Sequence, residues 1–213
     1  MIYSFVKRFL DIILSLLAII ILSPIFLLSS IFIKLSSPGP VFFCANRIGK
    51  NKKHFKMFKF RSMYMNDEKG HIITLRSDQR IFPYGRFMRK SKIDELPQLL
   101  NILKGEMSIV GWRPEDEENV EEVFISEFRE ILKTKPGLTS PGSLFDYTHG
   151  ELYEDEERYI KEFLPIKLKL ELYYVRNRSI MYDLELIIRT VVTILLVILG
   201  KEKFDYPKEV DYM

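Results

Sequence analysis

The sequence holds a single cysteine, Cys44, among its 213 residues. That excludes a disulfide framework and any cysteine-based metal site, and it fits a reducing compartment. His54, His71 and His149 lie too far apart in sequence to suggest a zinc cluster. Familiar catalytic signatures are missing too: no GxxxxGK[ST] phosphate loop, GxGxxG fingerprint, HExxH pair or GxSxG elbow occurs. Chemistry on phosphate would therefore rest on arginine, lysine and a metal ion for charge stabilisation. The most informative absence is of one sign of charge. No Asp or Glu occurs from Ile12 through Asn66, where Lys34, Arg47, Lys50, Lys52, Lys53, Lys56, Lys59 and Arg61 all fall. Acid gathers later, in Glu115, Asp116, Glu117, Glu118, Glu121 and Glu122, so the formal net charge of +3 hides a strong asymmetry. A basic stretch beside an apolar segment suits anionic lipid headgroups or a phosphate-bearing substrate; a solvated basic surface is the plainer alternative.

What the chain has in quantity is apolar sequence. At 47% hydrophobic residues it can bury one core plus a membrane segment. Ile12 to Ile33 runs about 22 residues without a charge, long enough to cross a bilayer. The run exceeds the h-region of a secretory signal and lacks its cleavage site, and it has no polar face of the kind a buried soluble helix shows. Pro24, near the middle, removes a backbone donor, and the Ser23 hydroxyl can bond a freed carbonyl. Lys7 and Arg8 precede the run and the basic stretch follows it, so the positive-inside rule pulls both ends toward the cytoplasm. A helix–break–helix hairpin at Ser23-Pro24 satisfies both pulls; a kinked spanning helix satisfies one.

Beyond the turn-rich Ser36-Ser37-Pro38-Gly39-Pro40, two strand-like runs, Val41–Ile48 and Phe55–Arg61, predict a β-hairpin presenting Lys56, Lys59 and Arg61. Helices are expected over Tyr84–Lys90, Leu96–Leu103 (ended by Gly105), Glu115–Lys133, Tyr159–Arg176 and Tyr182–Leu199, with a short strand at Ser108–Val110. The apolar end of the last helix is too short to cross a bilayer and reads as interfacial or packed on the anchor. The fold expected is mainly α with a small β-hairpin: a re-entrant anchor over 1–36, a compact cytoplasmic catalytic domain with amphipathic interfacial helices over 37–200, and a loose polar tail over 201–213.

Asp94-Glu95, just before an apolar run containing Pro97, supports two readings. Asp94 can cap a helix whose first turn holds Pro97, and Ser91-x-x-Asp94 matches a capping box. Alternatively, a carboxylate among Arg86, Arg89 and Lys92 should stay ionised at neutral pH, and two adjacent carboxylates can act as nucleophile and as ligand for a hard cation such as Mg²⁺. Arg113 offers a planar fork for a phosphate.

Taken in order, these signals resemble the bacterial sugar transferases, the small monotopic polyprenyl-phosphate phosphoglycosyl transferases. The matching residues are Lys7-Arg8-Phe9-Leu10-Asp11, Ser23-Pro24, Gly39-Pro-Val-Phe-Phe43, Asn46-Arg47-Ile-Gly49, Phe58-Lys-Phe-Arg-Ser-Met63, Asp94-Glu-Leu-Pro-Gln-Leu99, Asn101-x-Leu-Lys-Gly-x-Met-Ser108 and Lys135-Pro-Gly137. Tyr173-Tyr174, Asn177 and Asp183-Leu184 carry the likeness nearly to the end. The resemblance implies transfer of a sugar 1-phosphate from a UDP-sugar to polyprenyl phosphate, releasing UMP, through a phosphosugar intermediate on the first carboxylate of the dyad. It implies Asp94 as nucleophile and Mg²⁺ ligand, Glu95 as its support in metal binding or the second step, and Lys59, Arg61, Arg89, Arg113 and Glu171 as substrate contacts. Direct attack by the lipid, with Asp94 as metal ligand or base, and a non-catalytic membrane scaffold are the alternatives. UDP-sugar, polyprenyl phosphate and membrane lipids are the implied partners at the cytoplasmic face of the inner membrane; nucleic acid is not, and a homo-oligomer is left open. Two departures stand out: Trp112 where the usual pattern has Pro, and the stretch Leu138–His149, which lacks the usual Gly/Ala/Gln/Asn/Arg-rich sequence.

Overall fold

The computed structural model describes residues 2–65, 79–153 and 156–212; His71 lies outside them. Among the described residues the chain is mostly helical, as expected, with two small two-stranded sheets. Helix α1 (Ile2–Ile21) and helix α2 (Ser23–Ser36) meet at a 60° bend. Pro24 sits in the first turn of α2 and brings no N–H, while Ser23 Oγ donates to the Ile20 carbonyl at 2.8 Å. That is the local chemistry a helix break needs where water is scarce. No single described helix is long and apolar enough to cross a membrane; this bent pair passes the test of length and composition together. Phe5, Phe9, Leu16, Leu17, Leu27 and Phe32 stay exposed along the pair. Its buried residues are mostly polar: Asp11, Ser15 and Ser29 turn inward, with Ile33 beside them in a small apolar cluster.

Strands β1 (Phe42–Ile48) and β2 (His54–Phe60) form the expected antiparallel hairpin, in register from Phe42 opposite Phe60 to Ile48 opposite His54. Asn51 and Lys52 turn the chain with positive φ, 56° and 59°. The basic turn faces the acidic run: Arg47 pairs with Asp116 at 3.3 Å, Lys52 with Glu121 at 3.9 Å and His54 with Glu117 at 3.4 Å. These pairs are largely exposed and add little stability, but they assign part of the charge asymmetry to an internal match. Arg61 departs from expectation. It is buried, and it donates to Ser37 O and Pro38 O at 2.6 Å each and to Ser37 Oγ at 3.1 Å, clamping the exit from α2.

Helix α3 (Pro83–Lys90) leads through a 3₁₀ turn, Ile93–Glu95, into α4 (Gln98–Lys104). Gly105, at φ 86°, ends α4 as anticipated. Strand β3 (Ser108–Val110) has a partner that short-range patterns did not disclose: β4 (Gly137–Thr139), parallel to it, pairing Ser108 with Gly137 and Val110 with Thr139. A Cβ on Gly137 would fall 2.1 Å from the Gly111 nitrogen, so this crossing needs glycine.

The single helix expected over Glu115–Lys133 is broken. Helix α5 (Glu117–Val123) ends at Phe124, and after Ser126, at φ 51°, a 3₁₀ stretch covers Ser126–Lys133. One straight helix would hold its buried residues to one stripe; the break delivers Val120 and Phe124 from one segment and Ile131 and Leu132 from the other to the same core. Trp112 lies at the centre of that core, wholly buried, 5.5 Å from the Phe124 ring and donating from Nε1 to Thr134 O at 3.2 Å. The divergent stretch forms α6 (Pro141–His149), N-capped by Ser140. A short helix, α7 (Glu156–Arg158), and a π turn, Tyr159–Phe163, run into α8 (Leu164–Asn177), followed by α9 (Ile180–Ile198). The tail is not loose: Glu209 is buried against Arg189 and accepts from Tyr182 OH at 2.8 Å, and Tyr206 packs on Phe145 and His149.

Replacing Trp112 with alanine would empty the centre of the main core and forfeit the indole hydrogen bond. A loss of roughly 3–5 kcal/mol is expected. Thermal melts in detergent check it, and a midpoint within a degree of the parent would mean that the core is not organised around this ring.

Candidate active site

The site is assembled around α4. Asn101 is buried in that helix and ties it to β2: Phe58 N donates to its Oδ1 at 3.0 Å and its Nδ2 donates to Lys56 O at 2.8 Å. This fixes Lys59, one residue beyond Phe58, beside the 3₁₀ turn that carries Asp94 and Glu95. At the other end of α4, Arg8 of α1 donates to Ile102 O at 2.6 Å and Leu103 O at 2.8 Å, a cation on the helix's negative end.

The capping reading of Asp94 is corrected by this geometry. Pro97 stands at the N-cap of α4 with no side-chain cap, Lys92 precedes the 3₁₀ turn in a left-handed conformation, and Ser91 Oγ donates back to Phe87 O and Met88 O. Asp94 Oδ1 is buried without a hydrogen-bond partner among the described residues. Its neighbour is the opposite case. On Glu95 Oε1 converge Arg113 Nη2 at 3.3 Å, Lys59 Nζ at 3.4 Å and Lys92 Nζ at 3.6 Å.

Environment therefore splits two adjacent carboxylates. Burial, then the charge of Glu95, pushes the Asp94 carboxyl above its ordinary range, outweighing Lys59, Lys92 and Arg89. This runs against the expectation that nearby cations keep it ionised; desolvation was not visible in the sequence. Burial would raise Glu95 too, but Lys92, Lys59 and Arg113 together hold it well below the usual range.

The other residues singled out from sequence divide in two. Lys59 and Arg113 join the dyad directly, and Arg89 lies close enough to bear on Asp94, its Nη1 buried without a hydrogen-bond partner among the described residues. Glu171 stands one layer behind: its Oε1 accepts from Ser140 Oγ at 2.7 Å and from the Arg113 backbone N–H at 3.2 Å. Arg61 stays at Ser37-Pro38, away from the dyad. Trp112 leaves Arg113 free to reach Glu95, because its ring turns into the core.

Sequence reasoning missed the far side of Arg113. Asp146, from α6, lies 3.7 Å from Arg113 Nε and 3.9 Å from Lys167 Nζ, and Lys167 pairs in turn with Glu115 at 3.2 Å. Nothing local marked Asp146, since the stretch that carries it departs from the familiar pattern. Lys92 was legible as a cation three residues before Glu95.

Comparisons with known proteins identify the family. The model of the family described as bacterial sugar transferase matches residues 2–197. An Aeromonas hydrophila UDP-N-acetylgalactosamine-undecaprenyl-phosphate N-acetylgalactosaminephosphotransferase is 38% identical over 200 residues, covering 91% of this chain and 44% of that protein. A Xanthomonas campestris UDP-glucose:undecaprenyl-phosphate glucose-1-phosphate transferase is 37% identical over 193 residues, 89% of this chain and 38% of that one. The chain thus spans less than half the length of these two relatives. The exopolysaccharide production protein PSS of Rhizobium leguminosarum is matched over 94% of its length and 88% of this chain, at 38% identity.

Glu171 gives the site a pH signature. Burial raises its carboxyl to about 7, above its ordinary 4.5. Between those values the folded chain binds more protons than the unfolded one, so stability falls as pH rises from about 4.5 to about 7. Glu171→Gln should lack that fall and gain on the parent by on the order of 2–3 kcal/mol at pH 8 relative to pH 5. Unfolding at the two pH values measures it; parallel behaviour of the two proteins would refute the assignment.

Proposed function

The chain belongs to the bacterial sugar transferase family, and we propose that it moves a sugar 1-phosphate from a UDP-sugar to polyprenyl phosphate. The observation that carries this reading is the contrast inside the dyad: a buried Asp94 oxygen without a partner, next to a Glu95 that gathers three cations. Such a site offers a carboxylate to an electrophilic phosphorus and positive charge to the oxygens around it.

In the first step an Asp94 oxygen attacks the β-phosphorus of the UDP-sugar. The new bond is the carboxylate O–P bond; the bond that breaks joins that phosphorus to the bridging oxygen, which leaves with UMP. An oxygen of polyprenyl phosphate then attacks the same phosphorus, releasing Asp94 and forming the polyprenyl diphosphate-linked sugar. Lys59, Arg89 and Arg113 hold the phosphate oxygens. A Mg²⁺ ion fits as well. Among the described residues no group of three or more metal-binding side chains occurs, but Mg²⁺ is commonly held by one or two carboxylates together with substrate phosphates. Asp94, with its unpartnered oxygen, and Glu95 would hold the ion, which neutralises charge on the diphosphate when bound.

One observation favours a second reading. Burial and the charge of Glu95 push the Asp94 carboxyl upward, which suits a general base, so direct attack by the lipid phosphate, with Asp94 as base or metal ligand, is the rival. Labelled UDP-sugar mixed with the protein, without lipid acceptor, separates the two. The covalent scheme expects labelled protein and one equivalent of UMP, both lost in a folded Asp94→Asn variant. UMP formation only when lipid is added, with no labelled protein at any time, favours direct attack. A panel of UDP-sugars then names the sugar.

The same reading makes the bent α1–α2 pair a re-entrant anchor at the cytoplasmic face of the bacterial inner membrane. Its support is the 60° break, the exposed apolar side and cationic residues at both flanks. Single cysteines at Ser4 and Pro38, both exposed, introduced into a Cys44→Ser background, should react with an impermeant maleimide only from the cytoplasmic side. Labelling from opposite sides would make the pair a kinked spanning segment.

A further inference from the structure

Asp146 has no role in the reaction as described so far, yet it faces the most engaged cation of the site. The Arg113 guanidinium lies between two carboxylates. Its terminal nitrogens, Nη1 and Nη2, reach Glu95 Oε1 at 3.4 and 3.3 Å, and its Nε edge faces Asp146 Oδ2 at 3.7 Å. Asp146 is itself held. Tyr159 OH donates to its Oδ1 at 3.4 Å, and Lys167 stands 3.9 Å from its Oδ2. Lys167 is only 7% exposed in its side chain and is fixed from behind by Glu115 at 3.2 Å. Charge therefore alternates along Glu115, Lys167, Asp146, Arg113 and Glu95, joining α8, α6 and the 3₁₀ turn through the segment after β3.

We propose that Asp146 is a positioning residue for the transfer: it holds Arg113 by the Nε edge, so that Nη1 and Nη2 stay directed at the dyad, where the diphosphate of the nucleotide sugar is received. This rests on the transferase reading above. A guanidinium fork binds phosphate well only when its plane and direction are set beforehand. When Nη1 and Nη2 leave Glu95 for a phosphate oxygen, Asp146 keeps the other edge in place. Without it, the strongest pull opposing Glu95 is lost, and the fork closes onto that carboxylate.

A simple charge argument predicts the reverse sign. Removing one carboxylate makes the site more positive and should tighten a phosphate. Positioning outweighs this because Lys167, at the same Asp146 oxygen, already offsets much of the charge of Asp146 as the site sees it. Asp146→Asn also leaves Lys167 paired with Glu115, so the fold is expected to survive; a melt confirms it.

The test is the KM for UDP-sugar in a UMP-release assay, read beside UDP affinity by calorimetry. Asp146→Asn should raise KM about tenfold with kcat within roughly threefold, Asp146→Glu should recover most of the loss, and UDP affinity should weaken in parallel. In an Arg113→Lys background the same Asn change should move KM less than about twofold, since the effect runs through the guanidinium. A folded Asp146→Asn protein whose KM and UDP affinity are unchanged or improved overturns the inference, as does an equal loss in the Arg113→Lys background. If the parent protein releases no UMP from any UDP-sugar, the transferase reading fails, and UDP affinity still decides the role of Asp146.

Discussion

The site depends on one buried oxygen, Glu95 Oε1, on which three cations from three places in the chain converge. Lys59 arrives at the end of β2, Lys92 precedes the 3₁₀ turn in a left-handed conformation, and Arg113 follows β3. Each of these cations is partly withdrawn from water, so each needs the carboxylate as much as the carboxylate needs them. The contact is therefore a three-way constraint on where β2, the dyad turn and the segment after β3 can lie. Neither α4 nor the β-hairpin, both short, would hold that arrangement alone; Asn101 closes it by joining their backbones.

The same constraint reaches the apolar anchor. Helix α1 carries polar residues on the side that meets the rest of the protein, and they grip backbone belonging to the site. Arg8 holds the last carbonyls of α4, and Asp11 Oδ1 accepts from Ser108 Oγ at 3.0 Å and from Ile109 N–H at 2.9 Å in β3. Farther out, Lys7 and Tyr3 reach Asp183 of α9 at 2.8 and 3.0 Å. The bent pair is thus joined by directional bonds to α4, which follows the dyad turn, and to β3, which precedes Arg113. On the proposed transferase reading, the depth of the bent pair would set the depth of the dyad, where a lipid-borne phosphate and a water-borne nucleotide have to meet.

Much of this was legible in the sequence where the signal was local. Ser23-Pro24 named the break because proline removes a donor and serine can replace it. Alternation over Phe55–Arg61 named the hairpin, and Gly105 named the end of α4. What could not be read depended on partners distant in the chain. Strand β4 is three residues long and exists because Gly111 and Gly137 allow two backbones to touch. The destination of Arg61, Ser37 and Pro38 rather than the dyad, is set by where α2 ends. The break after Phe124 follows from the need to fill a core around Trp112, and the docking of the tail from buried partners such as Arg189 and Tyr182. At the site itself the sequence named Asp94, Glu95, Lys59, Arg89 and Arg113, and it missed Asp146 because only the folding of α6 brings that side chain to Arg113.

The chemistry of the dyad follows from an inequality that adjacency alone cannot produce. Two neighbouring carboxylates in equal surroundings would share their cations evenly. Here the backbone turn sends one side chain into the cationic cluster and leaves the other buried beside it with one oxygen unpartnered. Glu95 absorbs the positive charge and stays ionised; its ionisation, with burial, raises the cost of a second negative charge on Asp94. A carboxyl held in that state gains most from whatever brings it a counter-charge, whether a metal ion or the phosphorus of a bound diphosphate. On the proposed transferase reading Asp94 is the group that responds to substrate, because burial and the charge of Glu95 penalise its anion. Separation of the two carboxylates by environment, one as the fixed electrostatic centre and one as the responsive group, is the step that turns a pair of adjacent acids into a reactive site.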